Sequence, residues 1–369
     1  ACKAEPDYSE SFTNRGLFQG LTALTSVTFA DGSKCLTIGA SAFEGSGLAS
    51  FNVPASLTTI EKSAFAGTAL SEITIPRTVT RIEGSAFSGC SELKTVRMNA
   101  AITVLNDLTF QNCSSLETLI LPATLTSIAS GAFTGCTSLT SISVDAANSA
   151  LVVDESGALY NAAKTELYFI PADATEITLP ATLTSEDAVA LLAACSMLES
   201  VEVEAGNAKY QAAFGALYDA EWNLLLVPKA MISFTIPKEV TYLGVDDYAS
   251  YFEGTAVTTV DYEEGRTETL TLEGDSSRGV FADSDVREIT LPEGVRLEKY
   301  ALYGADSIER FVVPANAYVG DSAFQYWNSD QTIVVPFAEG TDPTVAPYNW
   351  NYWWNYRCTA IIEYTPASA

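Results

Sequence analysis

The sequence predicts a right-handed solenoid, a superhelix of short parallel strands joined by tight helical turns. The first observation is an aromatic ring that recurs every 22 or 23 residues, with similar residues around each copy. The second is that one such unit is too short to bury its own apolar side chains, so successive units must stack to share a core. The recurring rings are Phe43, Phe65, Phe87, Phe110 and Phe133.

Each unit begins with a strand, as the unit that starts at Leu70 shows. Ile73 and Ile75 alternate with polar residues, which is the two-residue period of a strand with one buried face. Pro76 then ends the strand, because proline has no amide hydrogen to donate to a ladder. We therefore expect the equivalent strands of successive units to pair in parallel, about 4.8 Å apart.

The rest of the unit returns the chain to the start of the next coil. Val79 and Ile82 supply a second inward-facing edge, Phe87 falls on a tight helical turn, and Gly89 permits the corner. One unit is then one coil, and each phenylalanine is expected to stack on the phenylalanine of the next coil.

Beyond Leu139 the repeat lengthens, because Leu139, Leu198 and Val257 open units that are 59 residues apart. Each of the two intervals contains a pair of apolar runs that predict an inserted β-hairpin. The runs are Gly157–Tyr160 and Leu167–Pro171 in the first interval, and Gly215–Tyr218 and Leu224–Pro228 in the second.

These patterns predict about thirteen coils between two caps. Residues 1–20 are expected to form a leader and an N-terminal cap, residues 21–336 the solenoid, and residues 337–369 an aromatic C-terminal cap. Within the solenoid the predicted parts are plain coils at 21–139, hairpin-decorated doublets at 140–257 and irregular coils at 258–336.

The repeated signature of a strand and proline, an isoleucine, and then Ala-Phe-x-Gly-Cys resembles the BspA-like leucine-rich repeat family of bacterial surface proteins. The resemblance covers roughly residues 21–364 and implies a leucine-rich repeat solenoid of the L-domain-like type. It also implies an exported protein of gut or oral bacteria, with members that adhere to host matrix proteins or other cells. The pattern is interrupted at Thr109, at residues 187–195, where phenylalanine is missing, and at the enlarged coil of residues 263–279.

The charge of the chain limits its partners. Aspartate and glutamate number 46 against 19 lysines and arginines, for a net charge of −27. Such a chain repels a phosphate backbone, so nucleic acid is not an expected partner. No run of eighteen apolar residues occurs, and a membrane is expected to be contacted only through a lipid anchor.

The residue types also argue against an enzyme. The sequence contains no histidine, which is the usual base of serine and cysteine hydrolases and the commonest zinc ligand. We expect no catalysis, no cofactor and no metal, although 46 acidic residues leave a two-carboxylate glycosidase open on composition alone.

Cysteines recur with the repeat at Cys90, Cys113 and Cys136, in the slot that Ser46 and Thr68 occupy in earlier coils. Paired Cys-x-x-Cys spacing, which zinc would require, is missing. The spacing therefore predicts a ladder of buried free thiols rather than a metal site or disulfides.

Cys2 precedes a short polar stretch, as in a mature bacterial lipoprotein, and is the candidate lipidation site. The alternative is an incidental thiol near the terminus. The first interpretation predicts an extracellular protein at the cell surface, lipid-anchored in the outer membrane. We also expect a monomer.

Two surfaces are candidate binding sites. The first is the outward face of the main strands, because solenoids bind along their continuous ladders. The second is an aromatic patch near the C-terminus, which could instead serve only to cap the core. The strand-face residues are Glu72, Thr74, Thr95, Arg97, Thr118, Ser141, Ser143, Ser200, Glu202, Thr259 and Asp261, and the aromatic residues are Trp350, Trp353, Trp354 and Tyr356.

The sequence therefore supports two hypotheses of function. The first is an adhesion protein that binds a host or bacterial surface protein through the strand face. The alternative is a carbohydrate-binding surface protein of a glycan-uptake system, with the glycan at the hairpins or the aromatic patch.

Overall fold

A computed structural model describes residues 16–30, 32–245 and 250–365. The predicted solenoid is confirmed: these residues form a β-solenoid of about thirteen turns, with parallel strands and, within the same ranges, almost no helix. It divides into two compact units. The first contains the described residues up to Ala174 together with Thr182–Leu191, and the second contains Thr175–Ala181 and the described residues from Leu192 onward. The boundaries predicted from repeat type at residues 20, 139, 257 and 336 stay predictions.

The first unit consists of short strands that alternate between two parallel ladders, followed by an antiparallel insertion. Its strands are β1 Ser26–Val27, β2 Thr37–Ile38, β3 Ser50–Phe51, β4 Thr59–Ile60, β5 Glu72–Ile75, β6 Arg81–Ile82, β7 Thr95–Met98, β8 Val104–Leu105, β9 Thr118–Leu121, β10 Ser127–Ile128, β11 Ser141–Val144, β12 Leu151–Val153, β13 Leu159–Asn161 and β14 Leu167–Phe169.

The main ladder of this unit is the four-stranded sheet β5-β7-β9-β11, which is parallel throughout. Side chains alternate along each strand, with buried aliphatic residues facing the core and exposed residues facing outward. A second edge is formed by the ladders β2-β4-β6 and β8-β10. The register is the one that the repeat predicts, because Glu72 aligns with Thr95, Thr118 and Ser141 in turn.

The predicted phenylalanine stack forms the centre of this core. Phe43, Phe65, Phe87 and Phe110 lie with ring centroids 5.4–5.5 Å apart and planes within 10° of parallel. Phe133 continues the stack at 6.5 Å from Phe110. Phe18, which the sequence assigns to the N-terminal cap, stacks on Phe43 at 5.2 Å and extends the row by one ring.

The segments that carry these rings are successive turns rather than helices. The amides of Ala66 and Thr68 donate to the carbonyls of Ser63 and Phe65, three residues earlier. The amide of Phe65, in contrast, donates to Ala86 on the next coil at 2.8 Å. Because such amides bond between coils, they are not available for the regular four-residue pattern of an α-helix.

Among the described residues there is one α-helix, α1, at Ala188–Ala193. It lies in the segment 187–195, where the sequence lacks the recurring phenylalanine. Loss of the ring and gain of a helix therefore coincide at this coil.

The second unit resumes the parallel ladders around a second antiparallel insertion. Its strands are β15 Glu176–Leu179, β16 Ser200–Val203, β17 Tyr210–Ala213, β18 Ala216–Asp219, β19 Leu224–Leu226, β20 Ser233–Ile236, β21 Tyr242–Leu243, β22 Thr259–Tyr262, β23 Thr271–Leu272, β24 Glu288–Ile289, β25 Arg296–Leu297, β26 Arg310–Val312, β27 Tyr318–Val319, β28 Thr332–Val335 and β29 Ile361–Tyr364.

The main ladder of the second unit is divided into three parallel sheets, β15-β16, β20-β22-β24 and β26-β28-β29. The opposite edge is the four-stranded sheet β21-β23-β25-β27. Each main sheet therefore presents its own short outward face.

Both predicted hairpins are present, as β13-β14 and β18-β19, and each has a third antiparallel strand. The additional strands are β12, which pairs with β13, and β17, which pairs with β18. Sequence analysis missed β17 because it contains small and polar residues without an apolar period.

A further feature of the long repeat is a side-chain clamp at three positions that are 59 residues apart. Each of these side chains donates to the carbonyl of the proline that ends the main strand of the preceding coil, and so satisfies a backbone acceptor at the turn. The pairs are Asn148 with Pro122 at 3.0 Å, Asn207 with Pro180 at 2.8 Å and Arg266 with Pro237 at 2.6 Å.

Candidate functional site

The strand face consists of the outward residues that alternate with the core residues of the main ladder. All eleven residues predicted for this face are exposed or half-buried. The four-stranded sheet of the first unit brings seven of them together in two parallel rows. One row is Glu72, Thr95, Thr118 and Ser141, and the other is Thr74, Arg97, Ile120 and Ser143, which includes an isoleucine outside the predicted eleven.

A groove of about 890 Å³ lies over this face, and we call it the strand-face groove. Strands β5, β7 and β9 and the turns that follow them form its walls. Thr74, Arg97 and Ile120 lie on successive strands along it, whereas Arg77 and Asp145 come from the turns after β5 and β11.

The groove combines the cationic groups of Arg77 and Arg97 and the carboxylate of Asp145 with aliphatic side chains. The side chain of Ile120 is 60% exposed, although the residues on either side of it along the strand are core leucines. Arg97 lies 3.7 Å from Glu72, and both side chains are largely exposed, so this ion pair adds little stability and leaves the guanidinium accessible. Within residues 16–30, 32–245 and 250–365, no ion pair of Arg77 is present.

The other four predicted residues belong to the second unit and lie on two separate sheets. Ser200 and Glu202 are on β16, and Thr259 and Asp261 are on β22. The sheets place further outward residues beside them that the prediction left out. These are Glu176 and Thr178 on β15, and Ser233 and Thr235 on β20. The motifs of a strand followed by proline at Ile177–Pro180 and Phe234–Pro237 were sufficient to predict these outward residues.

The four residues predicted as an aromatic patch have two different environments. Trp350 is 2% exposed, donates its indole hydrogen to Ala317 at 2.8 Å and packs against Trp354, which is also buried. Trp353 and Tyr356 are exposed, next to the exposed ring of Tyr352. Two members of the patch therefore cap the core and two lie on the surface, because these turns direct successive rings inward and outward.

The predicted cysteine ladder is buried, and its thiols are free. The thiols of Cys90, Cys113 and Cys136 each donate to the carbonyl of a core phenylalanine at 3.0–3.2 Å. Burial raises the pKa of the Cys136 thiol to about 12, which keeps it protonated at neutral pH. In the part of the chain that the structure describes, no group of three or more metal-ligating side chains is arranged to hold an ion. Cys2 lies outside the described residues.

Comparison with known families identifies the repeat. The model of the BspA-type leucine-rich repeat region matches in six copies, over residues 11–140, 58–185 and 229–331, which is more than half of the chain. The chain belongs to this family. It is a repeat family of bacterial surface proteins, so the resemblance inferred from the Ala-Phe-x-Gly-Cys units is confirmed.

Several solved structures of leucine-rich repeat proteins are similar in fold. A leucine-rich cell surface protein from Faecalibacterium prausnitzii is 18% identical, with 100% of this chain and 97% of that chain covered and a TM-score of 0.48. A leucine-rich repeat protein from Bacteroides ovatus is 18% identical, covers 94% and 85%, and has a TM-score of 0.47. A third from Eubacterium ventriosum is 20% identical, covers 75% and 82%, and has a TM-score of 0.44.

No curated protein matches the chain at a significant level. In the described part of the chain, no helix has the length and apolar character needed to cross a bilayer.

Proposed function

We propose that the protein binds a host or bacterial surface protein through the strand-face groove of its first unit, without catalysis. The observation that supports this proposal most directly is the row of Thr74, Arg97 and Ile120, which places a hydroxyl, a guanidinium and an exposed aliphatic side chain on neighbouring strands. Parallel pairing spaces these groups by about 4.8 Å, which suits contacts along an extended segment of a partner.

The charge of the groove suggests the chemistry of that segment. Arg77 and Arg97 lie in a groove of a chain whose net charge is −27. Arginine is enriched at the centres of protein interfaces, where it pairs with carboxylates in a two-pronged geometry. The partner that fits best offers acidic side chains to the two arginines and an apolar side chain to Ile120.

The experiment measures binding of the full chain to a panel of immobilised host matrix proteins. We expect Ile120→Asp to weaken binding at least about fivefold, because it places a carboxylate among the groups that receive the partner. Val104→Asp is the matched control, since Val104 is an exposed aliphatic residue on β8, on the opposite ladder.

A second pair of variants tests the charges. Arg77→Ala with Arg97→Ala is expected to weaken binding and to reduce its salt dependence. Arg81→Ala is its control, because Arg81 is exposed on β6 and pairs with Glu83 away from the groove. Unchanged binding in the groove variants, or an equal loss in the controls, would refute the proposal.

We also propose that the protein acts outside the cell as a monomer, anchored to the outer membrane by a lipid on Cys2. Family membership supports the surface location. Intact mass of protein purified from native membranes tests the anchor: the mass of the acyl groups is expected, and an unmodified cysteine would contradict it. Sedimentation of the same material tests the oligomeric state.

A further inference from the structure

The strand-face groove carries opposite charges at its two ends. Arg77 follows β5 and Arg97 lies on β7, whereas Asp145 lies at the other end, in the turn after β11. Glu72 lies 3.7 Å from Arg97, so two guanidinium groups face one carboxylate and this end stays positive. Within residues 16–30, 32–245 and 250–365, Asp145 forms no ion pair. A partner that lies along the groove therefore meets a positive end and a negative end.

The carboxylate of Asp145 is held in place by its own turn. Its Oδ1 accepts the amide hydrogen of Ala147 at 2.9 Å. The amide of Asp145 donates to the carbonyl of Leu121 on the preceding coil at 3.0 Å. Among the described residues, no hydrogen bond to Oδ2 is present. This second oxygen is available to a basic group of a partner.

The exposed side chain of Ile120 lies between these charges. It is in register with Arg97 on one side and with Ser143 on the other, and Ser143 is two residues before Asp145. Successive coils are about 4.8 Å apart, so the point midway between the coils of Arg77 and Arg97 is about 7 Å from the coil of Ile120. The coil of Asp145 is about 5 Å further on. The order along the groove is positive, aliphatic and negative.

This spacing matches the side chains on one face of an extended peptide. Alternate residues of a strand are about 6.7 Å apart, so an acidic residue beside the two arginines places the residue two positions later against Ile120. A lysine two positions further on lies within about 2 Å of the coil of Asp145, a distance that its flexible side chain covers. The segment that fits has an acidic, an aliphatic and a basic residue, each separated from the next by one residue.

The width of the groove also favours an extended segment over a helix. Its volume of about 890 Å³ extends over three coil spacings, about 14 Å, which corresponds to a width of about 8 Å. An α-helix with its side chains is about 10–12 Å across. Thr74 and Thr118 add exposed hydroxyl groups to the groove, which suit the unpaired backbone groups of an extended segment.

We infer that the strand-face groove binds an extended segment of the partner protein, with an acidic, an aliphatic and a basic side chain at alternate positions. The inference rests on the proposed function and specifies which part of the partner the groove receives. A polyanion is repelled by Asp145 and a polycation by the two arginines, whereas an uncharged glycan pairs with none of these charges. A peptide segment that carries both signs satisfies both ends.

The test measures binding of the full chain to synthetic peptides immobilised on a biosensor. The matching peptide contains Glu-Thr-Ile-Thr-Lys, and a reordered peptide contains the same residues as Thr-Glu-Ile-Lys-Thr. Reordering turns both charges to the face opposite the isoleucine of an extended chain. We expect the matching peptide to bind roughly threefold more tightly, since the lost contacts are exposed ion pairs.

Asp145→Lys tests the negative end of the groove. The wild-type chain is expected to bind Glu-Thr-Ile-Thr-Lys roughly threefold more tightly than Glu-Thr-Ile-Thr-Glu, and Asp145→Lys is expected to reverse this preference. A gain of affinity for the second peptide cannot come from unfolding of the variant. Asp107→Lys is the matched control, because Asp107 is an exposed acid after β8 on the opposite ladder, and the same change of net charge is expected to keep the wild-type preference.

Equal binding of the matching and reordered peptides would overturn the inference, as would no binding of either, an unchanged preference in Asp145→Lys, or a reversed preference in Asp107→Lys. The outcome is distinguishable from failure of the proposed function. If Ile120→Asp abolishes binding to matrix proteins while the order of the peptide has no effect, the groove is the binding site and the assigned segment is wrong. If Ile120→Asp leaves that binding unchanged, the proposed function itself fails.

Discussion

Removal of one ring from the phenylalanine stack tests the register on which the whole fold depends. Phe87 is fully buried, with Phe65 at 5.4 Å and Phe110 at 5.5 Å on its two faces. Burying one such ring contributes about 1.5–3 kcal/mol, and each stacked contact adds about 0.5–1.5 kcal/mol. Phe87→Ala is therefore expected to lower the free energy of unfolding by about 3–5 kcal/mol, the usual cost of this truncation in a core.

The position in the stack provides the matched control. Among the described residues Phe18 stacks on one ring, that of Phe43, and it is partly buried, so Phe18→Ala is expected to cost clearly less than Phe87→Ala. Phe214 is about half exposed, and Phe214→Ala is expected to change stability by no more than about 0.5 kcal/mol.

Urea unfolding followed by circular dichroism measures the three variants under identical conditions. In a repeat array, a ring that lies between two stacked rings contributes to two coil interfaces, which reinforces the expected order. Equal losses for Phe87→Ala and Phe18→Ala, or an unchanged midpoint for Phe87→Ala, would refute the assigned register.

Two further predictions concern two buried thiols and one half-buried side-chain amide. Burial raises the pKa of Cys136 to about 12 and that of Cys195 to about 11, from about 9 in an unfolded chain. Above pH 9 the unfolded chain loses these protons first, so the free energy of unfolding is expected to fall as pH rises from 9 towards 12. The fall is expected to be less steep in Cys136→Ala. Chemical denaturation at a series of pH values measures both proteins, and identical pH profiles would contradict the prediction. Asn148→Asp removes the side-chain donors that satisfy the carbonyls of Pro122 and Leu125, and is expected to lower the free energy of unfolding by about 1–3 kcal/mol. Asn355 is exposed, so Asn355→Asp is expected to leave stability unchanged. Equal effects of the two changes in thermal melts would argue against the clamp.

The strand face could be predicted almost completely, since the outward residues follow from a two-residue alternation that parallel pairing preserves from coil to coil. What the sequence alone did not reveal was the groove. Arg77 follows β5, and Asp145 follows β11, three coils further on. Both line the groove because of how the turns fold over the sheet. The clamp of Asn148 and Arg266 was also missed, because the residue type changes while its backbone contact stays the same.

The sequence by itself determined the coil, its register and its core. Each coil buries the same few side chains in the same order, so positions that are 22 or 23 residues apart in the sequence occupy equivalent places in the core. Only the tertiary structure decided which rings of the C-terminal segment face inward. Trp350 and Trp353 lie three residues apart in a segment of irregular turns, where no period relates sequence position to burial. Contacts with Ala317 and Trp354 bury the first ring, and the turn exposes the second, so a capping ring and a surface ring arise from one short stretch of chain.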